Sequence, residues 1–167
     1  MTMKNVWRWV WALTSLTALV GCDHATKFIA KAELEYHPPK DLIRAVLDLR
    51  YVENTDVGFN LLHWVPANLR GPLLLVVGAL AILGLMGALV RHRGAAATRV
   101  GLVLILGGAL GNTSDRVIRG YVVDFIHVPH WPVFNFADVW VTVGVALVLW
   151  SRLGWTGPAP RWDGHPA

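Results

Sequence analysis

GGALGNTSDRVIRGYVVDFIHVPHWPVFNFAD, residues 107–138, joins the end of one long apolar run to the start of another and carries three aspartates, Asp115, Asp124 and Asp138. A carboxylate beside a hydrocarbon-length apolar segment is costly to desolvate, so three of them point to chemistry or to a polar pathway. Whether the flanking runs cross a membrane therefore decides both the fold and the site.

Composition answers for the membrane. Of the 167 residues 54% are hydrophobic and only 16% charged, and the mean hydropathy is +0.46. With several spans there is little chain left for a separate soluble core, so residues 1–167 are predicted to form a single domain. The formal charge of +4 sits at segment ends, which is the distribution of a topology signal and argues against nucleic acid as a partner. A single Cys22 excludes an intramolecular disulfide framework and a metal site built from several thiolates.

Working outward from 107–138, four spans are predicted. Residues 97–114 lead into the stretch and 133–152 lead out of it, with Asp138 about a turn and a half inside the latter. Residues 72–90 contain no charged side chain and open on Pro72, read as a first-turn proline. Residues 6–30 follow a basic start at Lys4 and Arg8. Their ending Leu19-Val20-Gly21-Cys22 also fits a cleaved signal with a lipid-attachment cysteine. The helix reading is preferred because Asp23 and Lys27 stand four apart with the acid N-terminal, a pairing that supports continued helix.

The remaining segments, 31–70 and 115–132, are outer loops. Ala45 to Glu53 alternates loosely and Asn54 to Gly58 supplies turn residues, which predicts a small strand pair or cradle. Phe59, Leu61, Leu62 and Trp64 are its interfacial anchor. Lys4, Arg8, Arg91, Arg93, Arg99, Arg152 and Arg161 mark one side as cytoplasmic, although Arg44, Arg50, Arg70, Arg116 and Arg119 fall on the other. The predicted fold is an all-α membrane protein of four transmembrane helices with a small periplasmic β-cradle and a short outer helix, both termini cytoplasmic. Residues 157–167 read as a flexible inner tail.

Two carboxylates facing each other over a dry site cannot both ionise easily: at about 4 Å and an effective dielectric near 20 they repel by roughly 4 kcal/mol, or about three pKa units. One keeps a proton and serves as acid, while the other takes a proton from attacking water. Asp124 and Asp138 suit this, since they arrive from different segments with Pro129 and Pro132 bending the connection. Asp115 is read as a local ion pair with Arg116 or a cap of its helix, and Arg116 as free to bind a lipid phosphate. Metal chemistry fits worse, because His127 and His130 lack a nearby third ligand, and no cofactor is called for. Ser15, Ser114 and Ser151 have no Lys or His partner in their own motifs, and Cys22 reads as a small apolar helix residue.

The ordered motifs resemble those of the lipoprotein signal peptidase family, signal peptidase II. Asp23-His24-Ala25-Thr26-Lys27 resembles its D-x-x-x-K box, and Glu53-Asn54-Thr55 with Gly58-Phe59 its outer-loop box. Gly107 to Arg116 resembles the third box, running on through Val122-Val123-Asp124-Phe125, and Phe134-Asn135-Phe136-Ala137-Asp138 the last. The resemblance implies an aspartic endopeptidase of the bacterial inner membrane. It would be multi-pass and monomeric, with its site near the periplasmic face, and would cut diacylglyceryl-modified prolipoproteins before the lipidated cysteine, with membrane lipids as further partners.

It also implies Asp124 and Asp138 as the dyad and Asp23, Lys27, Asn54, Gly108, Asn112, Arg116 and Asn135 as supporting residues. Asp56 stands where a glycine is usual, which bears on the turn geometry there, and His24 where a glutamine is usual. Three rivals stand beside the peptidase, of which a purely structural membrane anchor explains the hydropathy but leaves Asp124 and Asp138 without a reason. A non-catalytic homologue would bind lipopeptide or inhibitor with the same motifs. A small proton-coupled transporter needs polar residues along more of its spans, and 72–90 has none.

Overall fold

The computed structural model describes residues 3–56, 61–92 and 94–153. Gly58, Phe59, Arg93, Arg161 and the 157–167 tail, on which expectations rest, lie outside those residues. Seven elements follow in order: α1 (Met3–Leu34), β1 (Lys40–Ile43), β2 (Leu47–Asn54), α2 (Ala67–Arg91), α3 (Ala96–Arg119), β3 (Val122–His127) and α4 (Phe136–Arg152). Four helices are thus present as predicted, but their ends differ, and each difference has a local cause.

Helix α1 outruns the predicted 6–30 because nothing breaks it before the turn that precedes Pro38, and Lys31 in its last turn complements the carbonyl end. Helix α2 begins just after Pro66, so Pro72 lies inside it and not in its first turn. There the missing N–H forgoes one intrahelical bond. Helix α3 stops where Gly120 turns left-handed at φ 81°, its N–H closing on Arg116 O.

The expected small cradle is present, with one strand more than the expected pair. It is a three-stranded antiparallel sheet in the order β1-β2-β3, and the third strand, Val122–His127, lies within the expected outer loop 115–132. Strand β2 pairs with it through Val52↔Asp124 and Asn54↔Val122. Residues on one strand alternate between faces, so Val123 and Phe125 pack with Ala30 and Leu34 of α1, while Val122 and Asp124 turn to the other side. The predicted short outer helix is not found among the described residues, where Leu61 to Trp64 form turns.

Helices α3 and α4 make the closest packing. A Cβ on Gly101 would lie 2.6 Å from Gly144 O, and one on Gly144 2.6 Å from Gly101 O, so the two backbones touch where both side chains are absent. Helices α1, α2 and α3 share a second core of Ala12, Leu89, Val103 and Leu106. Two helices, α2 and α3, are long and apolar enough to cross a bilayer. Large apolar side chains also face outward on the other two, among them Trp7, Trp11, Phe28 and Ile29 on α1 and Val143, Val145, Leu149 and Trp150 on α4. Arg8 Nη2 donates to His92 O at 2.8 Å, placing the start of α1 beside the end of α2.

Candidate active site

Asp124 and Asp138 line one cavity of about 320 Å³, with Asn54, Asn112, Arg116, Trp131 and Thr142 among its walls. The chain brings them together by doubling back after β3. His130 takes a left-handed φ of 66°, Phe134 pairs with Ile126 as an isolated antiparallel bridge, and the next residue, Asn135, caps α4. Asp138 is therefore in the first turn of α4, not a turn and a half inside a helix that starts at 133. Residue 135 is extended and its side chain accepts the Asp138 N–H, which ends the helix there.

Every oxygen of the two carboxyls has one donor. Asn54 Nδ2 reaches Asp124 Oδ2 at 2.7 Å and Asn135 Nδ2 reaches Asp124 Oδ1 at 2.6 Å. Asn112 Nδ2 reaches Asp138 Oδ1 at 2.8 Å, and the Asn135 backbone N–H reaches Asp138 Oδ2 at 3.1 Å. Asn135 thus touches both acids, with its side-chain amide on one and its backbone on the other. Asn54 can reach Asp124 because β2 and β3 set them diagonally on one sheet face. Three neutral amides satisfy the acids without adding charge. Burial, and then the facing Asp138, push the Asp124 carboxyl up to about 6, against the opposing pull of the Asn54 and Asn135 amides.

Behind the cavity lies a buried charge cluster that fixes these amides. Lys27 and Asp23 are fully buried, and the Lys27 ammonium donates to Asp23 Oδ2 at 2.7 Å and Asn112 Oδ1 at 2.9 Å and pairs with Asp115 Oδ2 at 2.9 Å. The i,i+4 pair read from the sequence is present, but it serves more than helix continuity. An ammonium has only donors, so the Asn112 carbonyl must face it and the NH2 must face Asp138. Asp23 Oδ1 also accepts the Ala137 N–H at 3.1 Å, tying α1 to the first turn of α4.

Two expected roles change. Asp115 neither pairs with Arg116 nor caps α3. It meets Lys27 and, at 3.1 Å, Arg119 one turn on. Gly108 lines no part of the cavity: a Cβ there would run into Ala137 O, so its place is the close approach of α3 to α4. Arg116 does line the cavity, but its Nη2 already donates to Asp56 O at 3.0 Å. Asp56 itself is absent from the positive-φ residues, which among the described non-glycines are Ala45 and His130, so an aspartate meets no left-handed strain there.

Ser114 does find a histidine, His24 of α1, with Oγ to Nε2 at 2.9 Å. Its hydroxyl proton goes to Gly111 O at 2.8 Å, which leaves the ring to donate. That is the wrong direction for a base. No group of three or more metal-ligating side chains occurs among the described residues.

Residues 15–153 match the family model described as Signal peptidase (SPase) II. Lipoprotein signal peptidase of Halothermothrix orenii is 35% identical over 133 residues, covering 78% of this chain and 88% of the relative. That of Acinetobacter baumannii is 36% identical over 144 residues, covering 84% and 81%, and that of Brucella ovis 33% identical over 153, covering 87% and 92%. Two solved bacterial membrane enzymes share the fold. One has a TM-score of 0.77 at 23% identity, over 93% of this chain and 94% of that one, and the other 0.76 at 25% identity, over 87% and 94%.

Proposed function

Because the chain belongs to the signal peptidase II family, we propose that Asp124 and Asp138 are the dyad with which it cleaves diacylglyceryl-modified prolipoproteins before the lipidated cysteine. The activity itself, that of an aspartic endopeptidase processing lipoproteins in a bacterial membrane, follows from the family and from relatives that cover most of the chain. The observation that carries the dyad is Asn135, bonded to both of the carboxyls that line one cavity.

The finer topology is part of the same proposal. All four helices cross the bilayer, since α1 and α4 turn large apolar side chains outward as α2 does. Arg8, Arg91, Arg99 and Arg152 gather at the end where α1 and α3 begin and α2 and α4 finish, with Arg8 on His92 O as the direct contact. By the positive-inside tendency that end is cytoplasmic, so the cavity opens at the periplasmic face of the inner membrane. There it meets a precursor whose lipid lies in the outer leaflet, as a monomer. Arg116, on the cavity wall, is the residue assigned to substrate or lipid oxygens.

In the mechanism, Asp138 is the base and Asp124 the acid. Asp138 lies in the first turn of α4, where its carboxyl accepts from the Asn112 amide and the Asn135 N–H. Asp124, pushed up to about 6, holds a proton through the mildly acidic range. Asp138 takes a proton from water as it attacks the scissile carbonyl. Asp124 gives its proton to the developing oxyanion, and as the C–N bond breaks the proton on Asp138 passes to the leaving amine while one hydroxyl of the tetrahedral carbon returns its proton to Asp124, leaving the carboxylic acid product.

The test is cleavage by purified protein in detergent, with lipid-modified and unmodified precursor side by side. Only the modified one should be cut at an appreciable rate, and equal cutting of both would remove the substrate assignment. The same assay has a pH signature. An acid that must be protonated is present below its pKa and lost above it, so kcat/KM should fall about tenfold per pH unit beyond the alkaline limb. That limb is set by Asp124 at about 6 in the free enzyme. A rate that rises through this range would make Asp124 the base and reverse the two roles.

A further inference from the structure

The outer wall of the cavity is held by a residue that is not itself part of the wall. Asp56, two residues beyond β2, is buried at 6% exposure. Its backbone N–H donates to Asn54 Oδ1 at 2.9 Å. With its oxygen so engaged, the Asn54 amide turns its NH2 the other way, onto Asp124 Oδ2. The Asp56 carbonyl accepts from Arg116 Nη2 at 3.0 Å. The two cavity groups that approach from the outer side are therefore both placed by the backbone of residue 56.

What holds that backbone is its side chain. Asp56 Oδ1 accepts the Leu62 N–H at 3.1 Å, and Oδ2 pairs with Arg70 Nη1 at 3.5 Å. Arg70, in the first turn of α2, also donates from Nε to Val65 O at 2.8 Å and from Nη2 to His63 O at 2.9 Å. One half-buried guanidinium thus ties the end of β2, the approach to α2 and α2 itself into one unit.

We infer that Asp56 and Arg70 form a positioning latch, which fixes the reach of Arg116 and the orientation of Asn54 and thereby sets how tightly the lipid-modified precursor is gripped. The inference rests on the peptidase reading of the cavity. Arg116 lines the cavity with Nη1 on Asn112 O at 3.4 Å and Nη2 on Asp56 O at 3.0 Å, so the shorter of the two bonds that aim its guanidinium is the one to Asp56. Asp124 keeps its bond from Asn135 when the latch opens, so grip is affected more than chemistry.

The experiment is steady-state cleavage of lipid-modified prolipoprotein by the purified full-length protein in detergent. Asp56→Ala and Arg70→Gln should each raise KM about tenfold with kcat held within about threefold. The double variant should be no worse than the poorer single, because both break one unit. Asp56→Asn, which keeps an acceptor for Leu62 but no charge, should fall between. If Asp56→Ala does not insert, Asp56→Asn with Arg70→Gln carries the same comparison. Wild-type KM in both singles, effects that multiply in the double variant, or a loss of kcat at constant KM would each overturn the latch. A wild type that does not cleave would sink the peptidase reading and the latch with it, whereas cleavage with unmoved variants sinks the latch alone.

Discussion

Asp138→Asn, and separately Asp124→Asn, should lower kcat for a lipid-modified precursor by at least about a thousandfold while the protein still inserts and binds it. Each substitution is nearly isosteric, so the cavity keeps its shape and the loss is one of protons. An amide at 138 can neither accept the proton of attacking water nor carry it to the leaving amine, and an amide at 124 has none to give the oxyanion. The two losses should not multiply in the double variant, because the acids act as a pair.

A second, smaller effect separates them from a purely structural role. Each carboxyl accepts two donors, and an amide has only one oxygen, so one donor in each variant faces an NH2, at about 1–3 kcal/mol of stability. Binding measured by co-purification of the precursor, with turnover measured on the same sample, distinguishes the outcomes. Turnover near wild type in either variant would exclude that residue from the dyad.

How much of this was legible in the sequence depends on range. Four helices, the Asp23–Lys27 spacing and the two acids could be read because each is a local pattern: apolar length, an i,i+4 step, a carboxylate at an apolar edge. Strand β3 could not, because Val122-Val123-Asp124-Phe125 is too short a run to declare itself, and its partner β2 lies about seventy residues upstream in the chain. The start of α4 at 136 was in principle readable, since Asn135 and Asp138 stand three apart as a capping pair. Reading 133–152 as one apolar run hid it.

Asp115 shows the same limit from the other side. Its step to Arg119 was visible at four residues, but the adjacent Arg116 drew the reading, and Lys27 comes from another helix. Asp56 was judged by its backbone freedom. Its role turns instead on side-chain partners at 62 and 70 that only the folded loop supplies.

Lys27→Met should cost more stability than any other single change argued here, about 3–5 kcal/mol, because it leaves carboxylates buried without their cation. Asp23 and Asp115 are both fully buried, and Lys27 is bonded or paired to each of them as well as to Asn112. Asp115 retains Arg119 at 3.1 Å, whereas Asp23 has no other cation among its contacts. Asp23 is therefore where the strain falls. The variant should also lose turnover, by a separate route. Without the ammonium, nothing but the Asn135 amide directs the Asn112 oxygen away from Asp138, and the hydrogen bond that orients the base becomes optional.

Asp23→Asn combined with Lys27→Met pulls the two consequences apart. It removes the orphaned charge and retains an oxygen for the Ala137 N–H, so most of the stability should return, in line with neutral replacement of a buried ion pair. The orientation of Asn112 does not return, so kcat should stay low. Equilibrium unfolding in mixed detergent micelles and turnover of the lipid-modified precursor give the two readouts. Recovery of both together would mean that the cluster only holds the helices in place, and loss of neither in Lys27→Met would mean that it does not hold even those.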